Sequence, residues 1–190
     1  MKLLKFVKEN KAIVFALVVV ALAFGLLALP GQFAHWNPNG ATEKIVTSYK
    51  DNLSGYQWMF GTYEPAYGSK EYPAFAQGIS MFVLLVVSVP GLIFSKKSSF
   101  VSLLTSIVLV VLSILFFTSS VATVKAYDLQ VWTKDVGGPR FYAVTWLPYV
   151  LGGLILLAGA ALGYRTFKVM KSETGRPNQP KGPSYSYLHK

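Results

Sequence analysis

The sequence predicts an all-α integral membrane protein: a four-helix transmembrane bundle with both termini cytoplasmic and small structured extracytoplasmic loops. Three observations predict it. Charge is scarce, at 14% of the 190 residues against roughly 25% in an ordinary soluble domain. It is also unevenly placed, because no charged residue lies between Lys11 and Glu43, Glu71 and Lys96, Lys97 and Lys125, or Arg140 and Arg165. Each gap holds an apolar run long enough for a hydrocarbon core of about 30 Å, which takes roughly 20 helical residues. Finally, the basic residues fall on one side. Lys2, Lys5, Lys8, Lys11, Lys96, Lys97, Arg165, Lys168, Lys171, Arg176, Lys181 and Lys190 flank the spans at one end with only Glu9 and Glu173 among them. The whole net charge of +10 therefore sits at that end, and basic residues near span ends favour the cytoplasmic face.

Taken in order, residues 1–11 are a basic cytoplasmic segment and 12–30 the first span. MKLLKFVKENK would also suit the n-region of a cleaved signal peptide, but the apolar run Ala12 to Leu29 is longer than the 7–15 or so residues of an h-region. Residues 31–73 form a long extracytoplasmic loop. Its first half, through NGATEKIVTSYKDNLSG, reads as a helix with Ile45, Val46, Tyr49 and Leu53 on one face and Gly55 as its left-handed end. Its second half is ambiguous: Tyr56, Trp58 and Phe60 alternate as on a strand, while Tyr56, Phe60, Tyr63 and Tyr67 would also share a helical face. Gly61, Pro65 and Gly68 break a continuous helix, so short strands or turns are the preferred reading. Residues 74–94 are the second span, with Pro90 kinking or ending it. A short cytoplasmic turn, 95–99, leads to the third span at 100–121. Residues 122–140 form the second outer loop, which folds against the first. The fourth span is 141–164, and the basic, Pro- and Gly-rich tail 165–190 is predicted to be disordered.

Tyr and Trp combine an apolar body with a polar tip, so a loop resting on the membrane interface is rich in them. Trp36, Tyr56, Trp58, Phe60, Tyr63, Tyr67 and Trp132 are the candidate contacts for a membrane or extracytoplasmic protein partner, since rigid aromatics also dominate binding hot spots. The alternative is that these rings pack and anchor the loop. Trp146 and Tyr142 belong to the same belt. Within the spans, Gly159 and Gly163 form a GxxxG pair and Ala21 and Gly25 share that spacing, which suits close helix packing. Ser102, Thr105, Ser106 and Ser113 can hydrogen-bond to a neighbouring helix.

The spans carry no ionisable residue at membrane depth, which argues against a self-contained pump or proton-coupled transporter. There is no cysteine for disulfides, thiolate metal sites or thiol redox chemistry. His35 and His189 are the only histidines. The outer carboxylates Glu43, Asp51, Glu64, Glu71, Asp128 and Asp135 have no spacing that selects an acid–base pair. No cofactor is implied. The positive charge lies beside the membrane without a nucleic-acid motif, so membrane lipids rather than nucleic acid are its expected partners.

The order and lengths of these segments resemble the claudin-type tetraspan families, with cytoplasmic termini, a long first outer loop, a very short inner turn and a shorter second outer loop. The claudin first-loop signature has a Trp, a Gly-Leu-Trp and two cysteines. Here Trp36 and Gln57-Trp58-Met59-Phe60-Gly61 stand without cysteine, so no site carries over. The resemblance implies a membrane scaffold whose outer loops make contacts. The expected function is thus a non-enzymatic, multi-pass plasma-membrane protein acting as an accessory or scaffold subunit, with an oligomer compatible with the small-residue pairs. The alternatives are a channel or transporter component that conducts as an oligomer, and a membrane-embedded enzyme acting on lipid or envelope substrates.

Overall fold

A computed structural model describes residues 7, 10–36, 52–64, 69–71, 75–123 and 142–174. Four longer helices, α1 (Lys11–Leu27), α3 (Phe75–Phe94), α4 (Ser99–Phe117) and α5 (Leu147–Thr174), accompany a short one, α2 (Gly55–Phe60). Three of them, α3, α4 and α5, are long and apolar enough to cross a membrane, and the chain is a membrane protein on that ground. At 17 residues, α1 is shorter. At about 1.5 Å per residue it reaches about 25 Å, less than the hydrocarbon thickness. Of the predicted span 12–30, the helix thus covers the part up to Leu27. The helix stops at Leu27, where the Ala28 N–H turns back onto the Gly25 carbonyl and the Leu29 N–H onto that of Leu26. Pro30 has no N–H to continue the ladder, and Gly31 adopts φ 67°, a left-handed turn that glycine permits.

The fourth apolar run is also divided differently. Its first residues, Tyr142–Val144, form a strand, and α5 then runs past Tyr164 to Thr174. At 28 residues α5 reaches about 42 Å, so its last turns carry Arg165, Lys168 and Lys171 beyond the apolar stretch. The part of the expected disordered tail from 165 to 174 is thus helical. In α3 the helix does not end at Pro90 but continues through it to Phe94.

Contacts run from α1 to α3, from α3 to α4, from α4 to α5 and from α5 back to α1, with α4 and α5 in most extensive contact. A continuous core results, from Ile13 and Leu162 near the basic end to Phe33 and Trp58 at the other. The α4–α5 seam is built from hydroxyls on one helix and glycines on the other. Ser106 Oγ donates to the Gly159 carbonyl at 2.8 Å and Ser113 Oγ to that of Gly152 at 2.8 Å. Ser102 Oγ and Thr166 Oγ1 lie 2.6 Å apart in a hydrogen bond. A Cβ at Gly159 would lie 3.2 Å from Leu109 Cβ, and one at Gly163 2.8 Å from Ser106 Oγ. The GxxxG pair therefore straddles Ser106. Thr105 instead bonds within α4, to the Val101 carbonyl, and packs on Gly91 of α3.

Beyond the helix ends lie two small sheets. β1 (Ala34–Trp36) is central in an antiparallel sheet between β2 (Asn52–Leu53) and β5 (Tyr142–Val144). β3 (Thr62–Glu64) pairs with β4 (Ser69–Glu71) as a second antiparallel pair. The frame is accordingly not purely helical. Backbone bonds lock the junction from both sides: Phe33 N–H donates to the Leu53 carbonyl at 3.1 Å, and Thr145 N–H to the Phe33 carbonyl at 2.9 Å.

The expected alternation of Tyr56, Trp58 and Phe60 is replaced by α2. Ser54 caps it reciprocally with Gln57: Ser54 Oγ accepts from the Gln57 N–H at 3.2 Å, and Ser54 N–H donates to Gln57 Oε1 at 2.9 Å. Gly55 begins this helix rather than ending another. Its value is proximity, since a Cβ there would lie 3.1 Å from Leu27 Cα. Gly61, at φ 83°, ends α2. The expected helix before it falls almost wholly outside the described residues.

Gly78 on α3 supports α2 from below, because a Cβ at that position would come within 2.5 Å of Met59 Cα. Backbone must move to admit a methyl, so Gly78→Ala should destabilise by about 1–3 kcal/mol. Gly25→Ala should not destabilise, since nothing lies within 4 Å of a Cβ there. Thermal unfolding of the two purified variants in the same detergent checks the contrast.

Candidate functional site

The sheet end of the molecule holds the aromatic stretch, and its rings divide into two groups. Trp58 belongs to the first. Its side chain has no exposed area, and its ring centroid lies 4.9 Å from that of Phe33. Phe33 in turn lies 6.5 Å from Phe116 at the end of α4. A buried indole needs a partner for its N–H, and Nε1 donates to Thr123 Oγ1 at 3.0 Å. Thr123 passes its own hydroxyl hydrogen to the Ser119 carbonyl at 2.7 Å. Trp58 therefore plugs the end of the helices and presents nothing to a partner, which removes it from the expected contact surface.

The second group is a rim around Phe82 of α3. Phe60 meets Phe82 edge to face at 4.9 Å, and Tyr56 and Phe24 meet it at 6.3 and 6.4 Å. Tyr56 is half-buried, and its hydroxyl donates to the Phe24 carbonyl at 3.1 Å, tying α2 to α1. Burial pushes the Tyr56 pKa above its ordinary value. The folded state then holds this proton more tightly than the unfolded chain. Its contribution is full below about pH 10 and is lost as pH rises through the raised value. Phe60 remains 39% exposed and is the ring of this group available to a neighbour.

A third feature lies between the end of α1 and the start of α5. Leu26, Leu29, Pro30, Gln32, Trp146 and Leu147 line an open, mostly apolar groove of about 410 Å³. Trp146 is 60% exposed there. It sits one residue past Thr145, whose hydroxyl bonds to the Phe33 and Gln32 carbonyls and so anchors the groove wall to the sheet.

Trp36 and Tyr63 are placed only as strand residues, in β1 and β3. Tyr67 and Trp132 lie outside the described residues, as does the DVGGPR turn. Gly159 and Gly163 are in the α4–α5 seam. Ala21 and Gly25 are exposed on α1, and among the described residues nothing lies within 4 Å of a Cβ placed at Gly25. Sequence reasoning missed Phe33, Thr123 and Gly78. The Ser54-x-x-Gln57 capping box was a legible signal for α2, whereas nothing local marks Thr123 as the partner of a tryptophan 65 positions away.

No protein-family model matches this chain, and no curated protein matches it.

Because Trp58 is a core residue, Trp58→Leu should reduce folded yield and thermal stability together, and the larger truncation Trp58→Ala should destabilise by about 3–5 kcal/mol. Thr123→Val should cost about 1–3 kcal/mol by leaving the indole N–H buried without an acceptor. Denaturation monitored by tryptophan fluorescence measures both.

Proposed function

We propose that this chain is a four-span, non-enzymatic protein of the plasma membrane, with both termini cytoplasmic, acting as an accessory or scaffold subunit. In this reading α1 spans with α3, α4 and α5, and the sheet end faces outward. The claudin-type layout belongs to the same proposal. It is supported by β5 joining β1, which ties the segment after the second outer loop to the first. The observation that carries the contact role is the groove beside Trp146. A large ring held exposed by a sheet-anchored wall, next to an apolar cleft, is a preorganised surface for an apolar or aromatic partner group. Phe60, against Phe82 of α3, offers a second exposed ring.

The conducting-oligomer alternative draws less support. Ser102, Ser106 and Ser113 direct their hydroxyls into α5, so the row that would line a polar pathway is engaged in helix packing. The lipid- or envelope-enzyme alternative depends on outer carboxylates, most of which fall outside the described residues.

The absence of cysteine gives a clean background for testing this. Ser48→Cys and Lys134→Cys should react with an impermeant thiol reagent on intact cells, and Ser98→Cys should not. The reverse pattern would invert the topology. For the contact role, Trp146→Ala should lower partner recovery from mild detergent roughly tenfold or more, as expected for a hot-spot ring, with an unchanged melting temperature. Equal partner recovery from wild type and from Trp146→Ala combined with Phe60→Ala would end the scaffold reading for this surface.

A further inference from the structure

The opposite, basic end contains a half-open polar feature. The turn between α3 and α4 and the flank of α5 surround a cavity of about 130 Å³. Lys96, Lys97 and Arg165 supply its charge, and Ser98 and Ser99 line its wall. Its floor is the Ser102–Thr166 hydroxyl pair, each residue only 1% exposed. Among the described lining residues none is acidic. The N-terminus of α4 opens at the same point, with Ser98 Oγ accepting from the Val101 N–H, so the helix dipole adds to the positive potential. Arg165 is held in place from behind, since its Nη2 donates to Asn10 Oδ1 at 3.4 Å.

We propose that this pocket binds a phosphate group carried on a phosphomonoester or present as the free ion. Residues that carry donors line it from the α3–α4 turn, from α4 and from α5, and donors from three sides suit a tetrahedral anion with several acceptor oxygens better than a planar carboxylate. At about 130 Å³ it is well below the roughly 300–1,000 Å³ of sites that enclose a drug-sized ligand, so it accepts a group and not a whole nucleotide. The surroundings point to a lipid as the carrier. Phe94, Phe100 and Phe167 are 51%, 66% and 66% exposed around the same end, an apolar collar against which acyl chains can lie while the headgroup phosphate enters. Basic pockets between helices on the cytoplasmic side take lipid phosphates in this way. The binding chemistry depends on the pocket and not on the contact role proposed for the sheet end.

The test uses the full chain in nanodiscs of phosphatidylcholine, with phosphatidic acid or phosphatidylglycerol added at equal negative charge, and native mass spectrometry to count retained lipid. Phosphatidic acid should be retained preferentially. Lys96→Gln combined with Lys97→Gln should weaken that retention about tenfold or more, and Lys97→Arg should keep it. Lys171→Gln, an exposed change farther along α5, should alter it less than about twofold. Melting temperatures in phosphatidylcholine alone identify any variant that misfolds, in which case Lys97→Gln by itself takes its place. Inorganic phosphate that stabilises the lipid-free protein in detergent and displaces phosphatidic acid would assign the pocket to the free ion; retention that resists it assigns the lipid. Equal retention of phosphatidylglycerol, an equal loss in Lys171→Gln, or no binding of either phosphate source would overturn the proposal.

Discussion

The position of α5 against α4 governs both ends of this molecule. In an apolar environment helices gain little from burying apolar surface against each other, so close backbone approach and interhelical hydrogen bonds set their register. Here three hydroxyls on one face of α4 meet glycine-bearing turns of α5, at Ser102–Thr166, Ser106–Gly159 and Ser113–Gly152. That spacing fixes how far α5 extends each way. At one end it delivers β5 to the edge of β1. At the other it brings Arg165 and Thr166 opposite the α3–α4 turn and so forms the basic pocket. A one-turn slip of about 5.4 Å would break the seam, the sheet and the pocket together.

The rings of Tyr56 and Trp58 answer a second constraint, which is that the end of a helix cluster must be closed. Helix termini leave carbonyls and N–H groups without intrahelical partners. Close to hydrocarbon these need partners from the protein itself. Gln77 Nε2 reaches the Leu115 carbonyl near the end of α4 at 2.6 Å. Tyr56 supplies a donor to the Phe24 carbonyl of α1. Rings with polar tips do both parts of this work: Trp58 fills the apolar opening and still finds Thr123, while Tyr56 fills the rim and bonds to α1. Tyr56 and Trp58, two rings of the expected recognition surface, thus serve closure, and among the described residues Phe60 and Trp146 are the rings of this end left exposed.

Hydropathy and charge made the apolar segments legible, because both are local sums over about 20 residues. Boundaries were not legible in the same way. Tyr142–Val144 is as apolar as a helix start, and only pairing with a strand over a hundred positions earlier makes it β. Trp58 could not be sorted between plug and contact for the same reason, since its acceptor lies on a distant segment. The hydroxyl row of α4 and the Gly159–Gly163 pair were each readable as helix-packing features from spacing alone, but that they face each other was not. Gly153 shows the limit of that reasoning, as its Cβ position opens onto empty space although it neighbours Gly152 in the seam. What was readable and missed is the Ser54–Gln57 capping box, a signal contained in four residues.

The shortness of α1 explains why the sheet sits where it does. Its helical part falls about 5 Å short of a typical hydrocarbon core, yet the buried column continues past Leu27. Phe33, Ala34, Leu53, Trp58 and Met59 are all within the same core cluster as Ile13 and Leu162. The chain leaves the helix at Leu27, turns at Gly31 and returns as β1, so the missing turn is replaced by a segment whose buried residues extend the apolar layer. Because β1 is paired on both sides, its backbone groups are satisfied without helical bonds, which is the condition for placing non-helical backbone so close to an apolar environment. Phe33 is the hinge of this exchange. Its ring completes the core, while its N–H and carbonyl belong to the sheet.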